Sequence, residues 1–256
     1  MLKQKIKNKE KTIGMYVQLT DINISRIAGL SGYDFVWIDT EHSYMSAESL
    51  VGHIYALKST GTPVIVRLPQ DDLTATKHVL ELGVDGVIFP MVRSADECNR
   101  LIASTLYPPY GSRGFGPMGA VDFGLRDAFE YTKFNHSEMC RFIQIEHKDA
   151  IENLPEIIKN EYIDGYIFGA NDLCGSYNML GEHMSEKASE IIKSAIAFLH
   201  ENGKYVAIAC GGCDKETIAH WAGFGADMLV AGADFDFIRN GARKNRELLL
   251  KLHKKI

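Results

Sequence analysis

Eight short runs rich in β-branched and aromatic residues recur along the chain, each separated from the next by a longer stretch of helical period. The runs span Thr12–Leu19, Tyr33–Asp39, Pro63–Arg67, Gly86–Pro90, Arg141–Glu146, Gly165–Gly169, Tyr205–Cys210 and Met228–Gly232. Between them, segments such as Ser46–Lys58, Leu73–Leu82, Ala150–Lys159, Glu186–Asn202 and Glu216–Phe224 repeat apolar residues every three or four positions, as amphipathic helices do. Runs such as Val64-Ile-Val and Tyr166-Ile-Phe are almost wholly apolar, the pattern of parallel strands covered on both faces. Eight strand–helix units in 256 residues predict an α/β protein, a single-domain (β/α)8 TIM barrel spanning 1–256. A doubly wound sheet is the alternative, but it usually carries a glycine-rich phosphate turn after its first strand. The segment after Leu19, Thr20-Asp-Ile-Asn-Ile-Ser, has no glycine.

The net charge of −5 supplies no basic field to gather phosphates, so a nucleic-acid partner is not expected. No apolar run is long enough to span a membrane, and lysine-rich Met1–Lys11 lacks the apolar centre of a signal peptide. Residues 1–11 read as a frayed, solvated start. Five unevenly spaced cysteines fit a reducing cytoplasm better than a disulfide scaffold. Cys210-Gly-Gly-Cys213 has no second ligand pair nearby for zinc, so one cysteine is expected to close a strand and the other to open a helix. Tyr107–Tyr131 is the one long connection and reads as a functional loop.

In such a barrel the reactive groups stand at the C-terminal ends of strands. Strand two ends in Asp39, Glu41 and His42, and strand three in Arg67. Strand five ends in Gln144, Glu146 and His147, and strand six in Gly169-Ala170-Asn171-Asp172. Such polar groups are costly at a buried strand end unless paired or bound to an ion. Glu146 and Asp172 suit a hard divalent cation, which takes one or two carboxylates and leaves its other positions to water and substrate. Arg67 offers a permanently charged fork for a carboxylate or a developing oxyanion, and His42 can move a proton near neutral pH. His147 follows Glu146 directly, so it points away and is expected to be structural. An imine-forming aldolase needs a desolvated lysine on a strand, and strand six has none. Metal-assisted enolate chemistry is favoured.

The motifs Ile38-Asp-Thr-Glu-His42, Val66-Arg-Leu-Pro69, Phe89-Pro-Met-Val92, Tyr107-Pro-Pro-Tyr-Gly-Ser-Arg-Gly-Phe-Gly116, Gln144-Ile-Glu146 and Gly169-Ala-Asn-Asp-Leu173 resemble the HpcH/HpaI aldolase family. The likeness runs in order over nearly the whole chain. It implies a metal-dependent, class II pyruvate aldolase acting on 4-hydroxy-2-oxo acids. It also implies that Glu146 and Asp172 ligate Mg2+, Mn2+ or Co2+, and that Arg67 steadies the enolate. His42 would shuttle the C4-hydroxyl proton with Glu81 as its partner. Gln144 and the turn Gly169-Ala170-Asn171-Asp172 would bind substrate, with Asp39 and Glu41 supporting the site from behind. A hexamer, a trimer of dimers with exchanged C-terminal helices, is implied as well. Three positions depart from the family pattern. Ala170 replaces a proline, Cys174 replaces a hydroxyl residue, and Glu81 replaces an aspartate.

The expected activity is therefore lyase: retro-aldol cleavage of a 2-keto-3-deoxy-type acid to pyruvate and an aldehyde, in sugar-acid or aromatic-compound catabolism. Decarboxylation of an oxaloacetate-like acid passes through the same enolate and is the second reading. A non-catalytic barrel that only binds an oxo acid is the third.

Overall fold

All eight β-rich runs form strands, and the strands close on themselves. The computed structural model describes residues 2–253. Strands β1 (Thr12–Val17), β2 (Phe35–Asp39), β3 (Val64–Arg67), β4 (Gly86–Phe89), β5 (Cys140–Ile145), β6 (Gly165–Gly169), β7 (Val206–Ala209) and β8 (Met228–Ala233) pair in parallel, each with the next. β8 returns to β1, closing the (β/α)8 barrel and excluding the open doubly wound sheet.

The alternation of strand residues explains why the runs are apolar on both sides. Phe35, Trp37, Ile65, Ile88, Phe142 and Ile167 fill the barrel interior. Val36, Ile38, Val64, Val66 and Val87 face outward and are buried beneath the helices. Those helices include α2 (Ile22–Leu30), α3 (Ala47–Lys58), α4 (Leu73–Glu81), α5 (Ala95–Ala103), α6 (Ala128–Glu138), α7 (Lys148–Ile157), α8 (Ala170–Ser176), α9 (Glu186–Glu201) and α10 (Lys215–Ala222). Most open on a side-chain N-cap, as Ser46 does for α3 and Asp72 for α4. Cys210 follows the end of β7 and Cys213 precedes the N-cap of α10, the placement expected of them, and neither is in a disulfide.

The chain start differs from the frayed segment expected. Residues Leu2–Lys7 form helix α1, because Leu2 and Ile6, one turn apart, both bury into the lower barrel core. Lys3 is buried too: its Nζ donates to the Met139 carbonyl at 2.9 Å and pairs with Asp164 at 2.5 Å. The other lysines of the segment satisfy its solubility on the outer face, which composition alone could not separate from disorder. Met1 lies outside the described residues.

The long connection is placed by the direction of the helix before it. Helices run back from the C-terminal to the N-terminal ends of the strands, and Tyr107–Tyr131 lies between α5 and β5. It therefore belongs to the face opposite the reactive strand ends. Arg113 anchors it, buried with its guanidinium 4.4 Å from the Tyr107 ring centre.

The last helix, α11 (Asp234–His253), touches β8 and β1 near its start and leaves Leu248, Leu249, Leu250 and Leu252 exposed near its end.

Ile6 is buried in the lower barrel core, so Ile6→Ala should lose about 2–4 kcal/mol of unfolding free energy. Urea unfolding checks this. A loss below about 0.5 kcal/mol, the size of an ordinary surface substitution, would mean that α1 is frayed in solution.

Candidate active site

The C-terminal strand ends surround a cavity of about 230 Å³ lined by Asp39, His42, Arg67, Gln144, Glu146 and Gly169 to Asp172, with Tyr16, Gln18 and Trp37 beside them. β2 and β3 are in register so that Asp39 lies against Arg67. The Arg67 Nε donates to Asp39 Oδ1 at 2.9 Å and its Nη2 to Oδ2 at 2.5 Å, a two-pronged clamp. Glu41 stands off the end of the strand, but the turn brings its carboxylate back to 3.1 Å from Arg67 Nη1. The same turn aims the N–H groups of Glu41 and His42 at Asp39 Oδ1, at 3.0 and 3.2 Å. Gln18 Nε2 donates to Asp39 Oδ2 at 2.6 Å. Arg67 rests near the Trp37 ring, 5.4 Å from its centre.

These contacts set the charges. Burial alone would raise the Asp39 carboxyl, but the hydrogen bonds and charge of Arg67, with the two backbone N–H groups, hold it below its ordinary 3.8. Glu41 goes the other way: burial raises it, and Arg67 only partly offsets this.

Across the cavity, burial pushes Glu146 up to about 8, with Arg67 opposing and Glu41 and Asp172 adding to the rise. Its Oε1 accepts from Gln144 Nε2 at 2.6 Å and its Oε2 from the Met91 N–H at 3.2 Å. A Cβ at Gly169 would sit 2.1 Å from Glu146 Oε1, so only glycine leaves room for that carboxylate. Asp172 lies in the first turn of α8 and lines the same cavity. Ala170 is buried at the first position of α8, and the helix forms without the proline. Cys174 is buried further along it.

His42 sits at the mouth, 61% exposed, with its Nε2 3.8 Å from Glu41. Glu81 is not beside it. Glu81 ends α4 at the opposite side of the barrel, and within one chain its carboxylate takes Arg113 at 3.3 Å. The Glu81–His42 pair is thus not formed inside a single subunit. His147 caps α7, accepting the Asp149 N–H at 3.2 Å, and plays the structural part expected of it.

Sequence reading missed Met91, Gln18, Trp37 and Tyr16. Met91 lies in the left-handed region at φ 54, a strained turn that delivers its N–H to Glu146. The Pro-Met pair in Phe89-Pro-Met-Val92 was its only trace.

Among the described residues no three His, Cys, Asp or Glu side chains converge as a ready cation cage. A hard divalent cation nevertheless suits the donors present. Glu146 is a carboxylate that burial disfavours in its charged form, and Gln144 Oε1 is a buried acceptor without a partner next to it. Two carboxylates with water and substrate completing the shell is ordinary for magnesium. Among the described residues lining the cavity there is no lysine.

The family model described as HpcH/HpaI aldolase/citrate lyase matches residues 12–231. A hydroxypyruvate/pyruvate aldolase of Roseovarius nubinhibens is 28% identical over 232 residues, covering 91% of this chain and 90% of its own. A 2-keto-3-deoxy-L-rhamnonate aldolase of Escherichia coli is 28% identical over 235 residues, covering 91% and 86%. The crystal structure of an HpcH/HpaI aldolase/citrate lyase family protein from Burkholderia cenocepacia superposes with a TM-score of 0.90 at 21% identity, covering 97% and 98%, a likeness of fold.

Asp39→Asn should cost about 3 kcal/mol at neutral pH, because it strips a buried guanidinium of its clamp. The Asp39 contribution is complete above its unfolded value near 3.8 and disappears as pH falls through the lower folded value. The gap between wild type and variant should therefore close in acid. Denaturation across pH 2.5–7 reads this out, and a gap independent of pH would refute the assignment.

Proposed function

The chain belongs to the HpcH/HpaI aldolase/citrate lyase family and is a lyase of the aldolase kind; on that premise we propose that it cleaves a 4-hydroxy-2-oxo acid reversibly to pyruvate and an aldehyde. The observation that carries this reading is the facing of Arg67, fixed by Asp39, and buried Glu146, inside one cavity at the strand ends.

Glu146 and Asp172 would hold a divalent cation, Mg2+, Mn2+ or Co2+. Such an ion supplies Lewis-acid polarisation of the keto group when bound. Arg67 meets the negative charge that grows on the keto oxygen as the bond between C3 and C4 breaks. Clamped beforehand by Asp39, it needs little reorganisation at that moment. His42, at the open mouth, takes the proton of the C4 hydroxyl while the aldehyde leaves toward solvent. Gln144, through its unpartnered Oε1, and the turn Gly169-Ala170-Asn171-Asp172 orient the oxo acid. Glu41 tethers Arg67 from the side.

Pyruvate, or the hydroxypyruvate named for one relative, is the nucleophile class that fits a cavity of about 230 Å³. A sugar-acid substrate follows the rhamnonate aldolase relative. We place the protein in the cytoplasm as a homo-oligomer, a hexamer built as a trimer of dimers with exchanged α11 helices. Two features support exchange. The far end of α11 presents four exposed leucines, and a groove of about 540 Å³ lined by Ile13, Ile24, Ile27, Tyr33 and Phe237 is open to receive apolar side chains. In such an assembly Glu81 could meet His42 only across a subunit boundary. No helix among the described residues is long and apolar enough to cross a membrane.

The direct test is proton exchange. Pyruvate in D2O with the protein and Mg2+ or Mn2+ should lose its methyl signal in proton NMR, and EDTA should stop the loss. Folded protein that exchanges nothing with Mg2+, Mn2+ or Co2+ would overturn the reading. Oxaloacetate-type decarboxylation uses the same groups but has no hydroxyl proton to remove. His42→Ala should therefore lower aldol cleavage by about 100-fold or more while decarboxylation survives. Equal losses in both would remove His42 from the proton transfer assigned to it.

A further inference from the structure

Asp39 receives five donors, and Arg67 takes its orientation from that carboxylate. Two of the donors are Arg67's own, and two are backbone N–H groups of the turn that follows Asp39. The fifth comes from another strand end: Gln18, just beyond β1, donates through Nε2 to Asp39 Oδ2 at 2.6 Å. The same nitrogen lies 3.5 Å from the His42 carbonyl. One amide thus braces both the clamp on Arg67 and the backbone that carries His42.

A glutamine side chain is flexible, so something must hold its root. Asp234, 3% exposed at the first position of α11, does so. Its Oδ2 accepts two successive N–H groups, Gln18 at 3.1 Å and Leu19 at 2.9 Å. Its Oδ1 accepts the N–H of Phe235 at 2.9 Å, and Phe235 lines the cavity beside Gln18. Charge-assisted bonds of this kind are the stronger ones, and these fix a backbone that has left the sheet.

We propose that Gln18 is a positioning residue for Arg67 and His42, and that the root of α11 sets it through Asp234. Seating of α11 and shaping of the cavity are then a single event. Whatever holds or releases that helix also tightens or loosens the arginine clamp. The activity arm of the test below rests on the aldolase reading; the exchange arm does not.

Three variants of the full chain decide it. Gln18→Met keeps the length and removes the donor. Gln18→Glu keeps the shape but turns a carboxylate toward Asp39. Asp234→Asn removes the charge that fixes the Gln18 backbone. Hydrogen–deuterium exchange of the segment 40–45 should speed up about tenfold in Gln18→Met, the effect of one lost hydrogen bond to a charged group. It should speed up further in Gln18→Glu. Pyruvate exchange should fall in kcat in the same order, with Mn2+ affinity unchanged. A residue that merely packs would reverse the order, since glutamate is the closer isostere. Asp234→Asn should loosen 40–45 as well, and adding it to Gln18→Met should cost nothing more, because both act through one link.

Unchanged exchange of 40–45 in Gln18→Met would overturn the proposal, as would Glu tolerated better than Met or effects that multiply in the double variant. If Asp234→Asn fails to fold, the ranking of Met and Glu at position 18 still decides. A wild type that exchanges no pyruvate would refute the aldolase reading alone, and the 40–45 measurement would stand on its own.

Discussion

The Asp39–Arg67 pair is the contact on which the rest of the site depends. Two charges in a barrel mouth lined by Trp37 and Tyr16 cost more to desolvate than their attraction returns unless every lone pair and proton is used. Here the carboxylate is fully engaged, since Asp39 accepts five hydrogen bonds, while Arg67 directs one contact from each nitrogen to Asp39 or Glu41 and keeps further N–H groups for the cavity. An arginine so held presents a fixed face to the cavity. On the far wall the balance is the opposite. Glu146 is buried among few donors and titrates high, which leaves it suited to a positive partner. One wall is clamped in place, and the other is short of charge compensation.

Much of the fold was legible because parallel strands inside helices advertise themselves twice, by apolar runs and by the 3.6-residue period that follows them. Val64-Ile-Val66 and Gly165-Tyr-Ile-Phe168 could hardly be anything but buried strands, and all eight runs lie in the barrel. What sequence hid was burial that composition disguises. The lysines around Leu2 and Ile6 resemble a solvated tail until the lower barrel mouth is there to receive the two apolar residues. The Tyr107–Tyr131 stretch carries the glycines and aromatics of a functional loop. Its position after a helix, however, puts it at the far face of its own barrel.

The site was legible in the same uneven way. His42, Arg67, Glu146 and Asp172 could be read because each stands at a strand's C-terminal end or within three residues of it, where a barrel gathers its chemistry. Glu81 could not be placed, since its setting follows from the direction of α4 and from Arg113, 32 positions away. Gln18 and Met91 act through an amide and a backbone N–H. Neither residue type announces such a role, because a hydrogen bond made by geometry leaves no mark in composition.

The helix at the start of the chain has a further consequence, for the order in which the molecule is made. Lys3 finds its partners at Met139 and Asp164, 136 and 161 positions downstream. On the ribosome helix α1 therefore emerges without the carbonyl and carboxylate that will hold it, and it waits until β5 and the turn before β6 have followed. Contacts of such separation form late and slowly. Helix α1 is thus made well before the groups that secure it, and the bottom of the barrel is sealed only after its sixth strand is within reach.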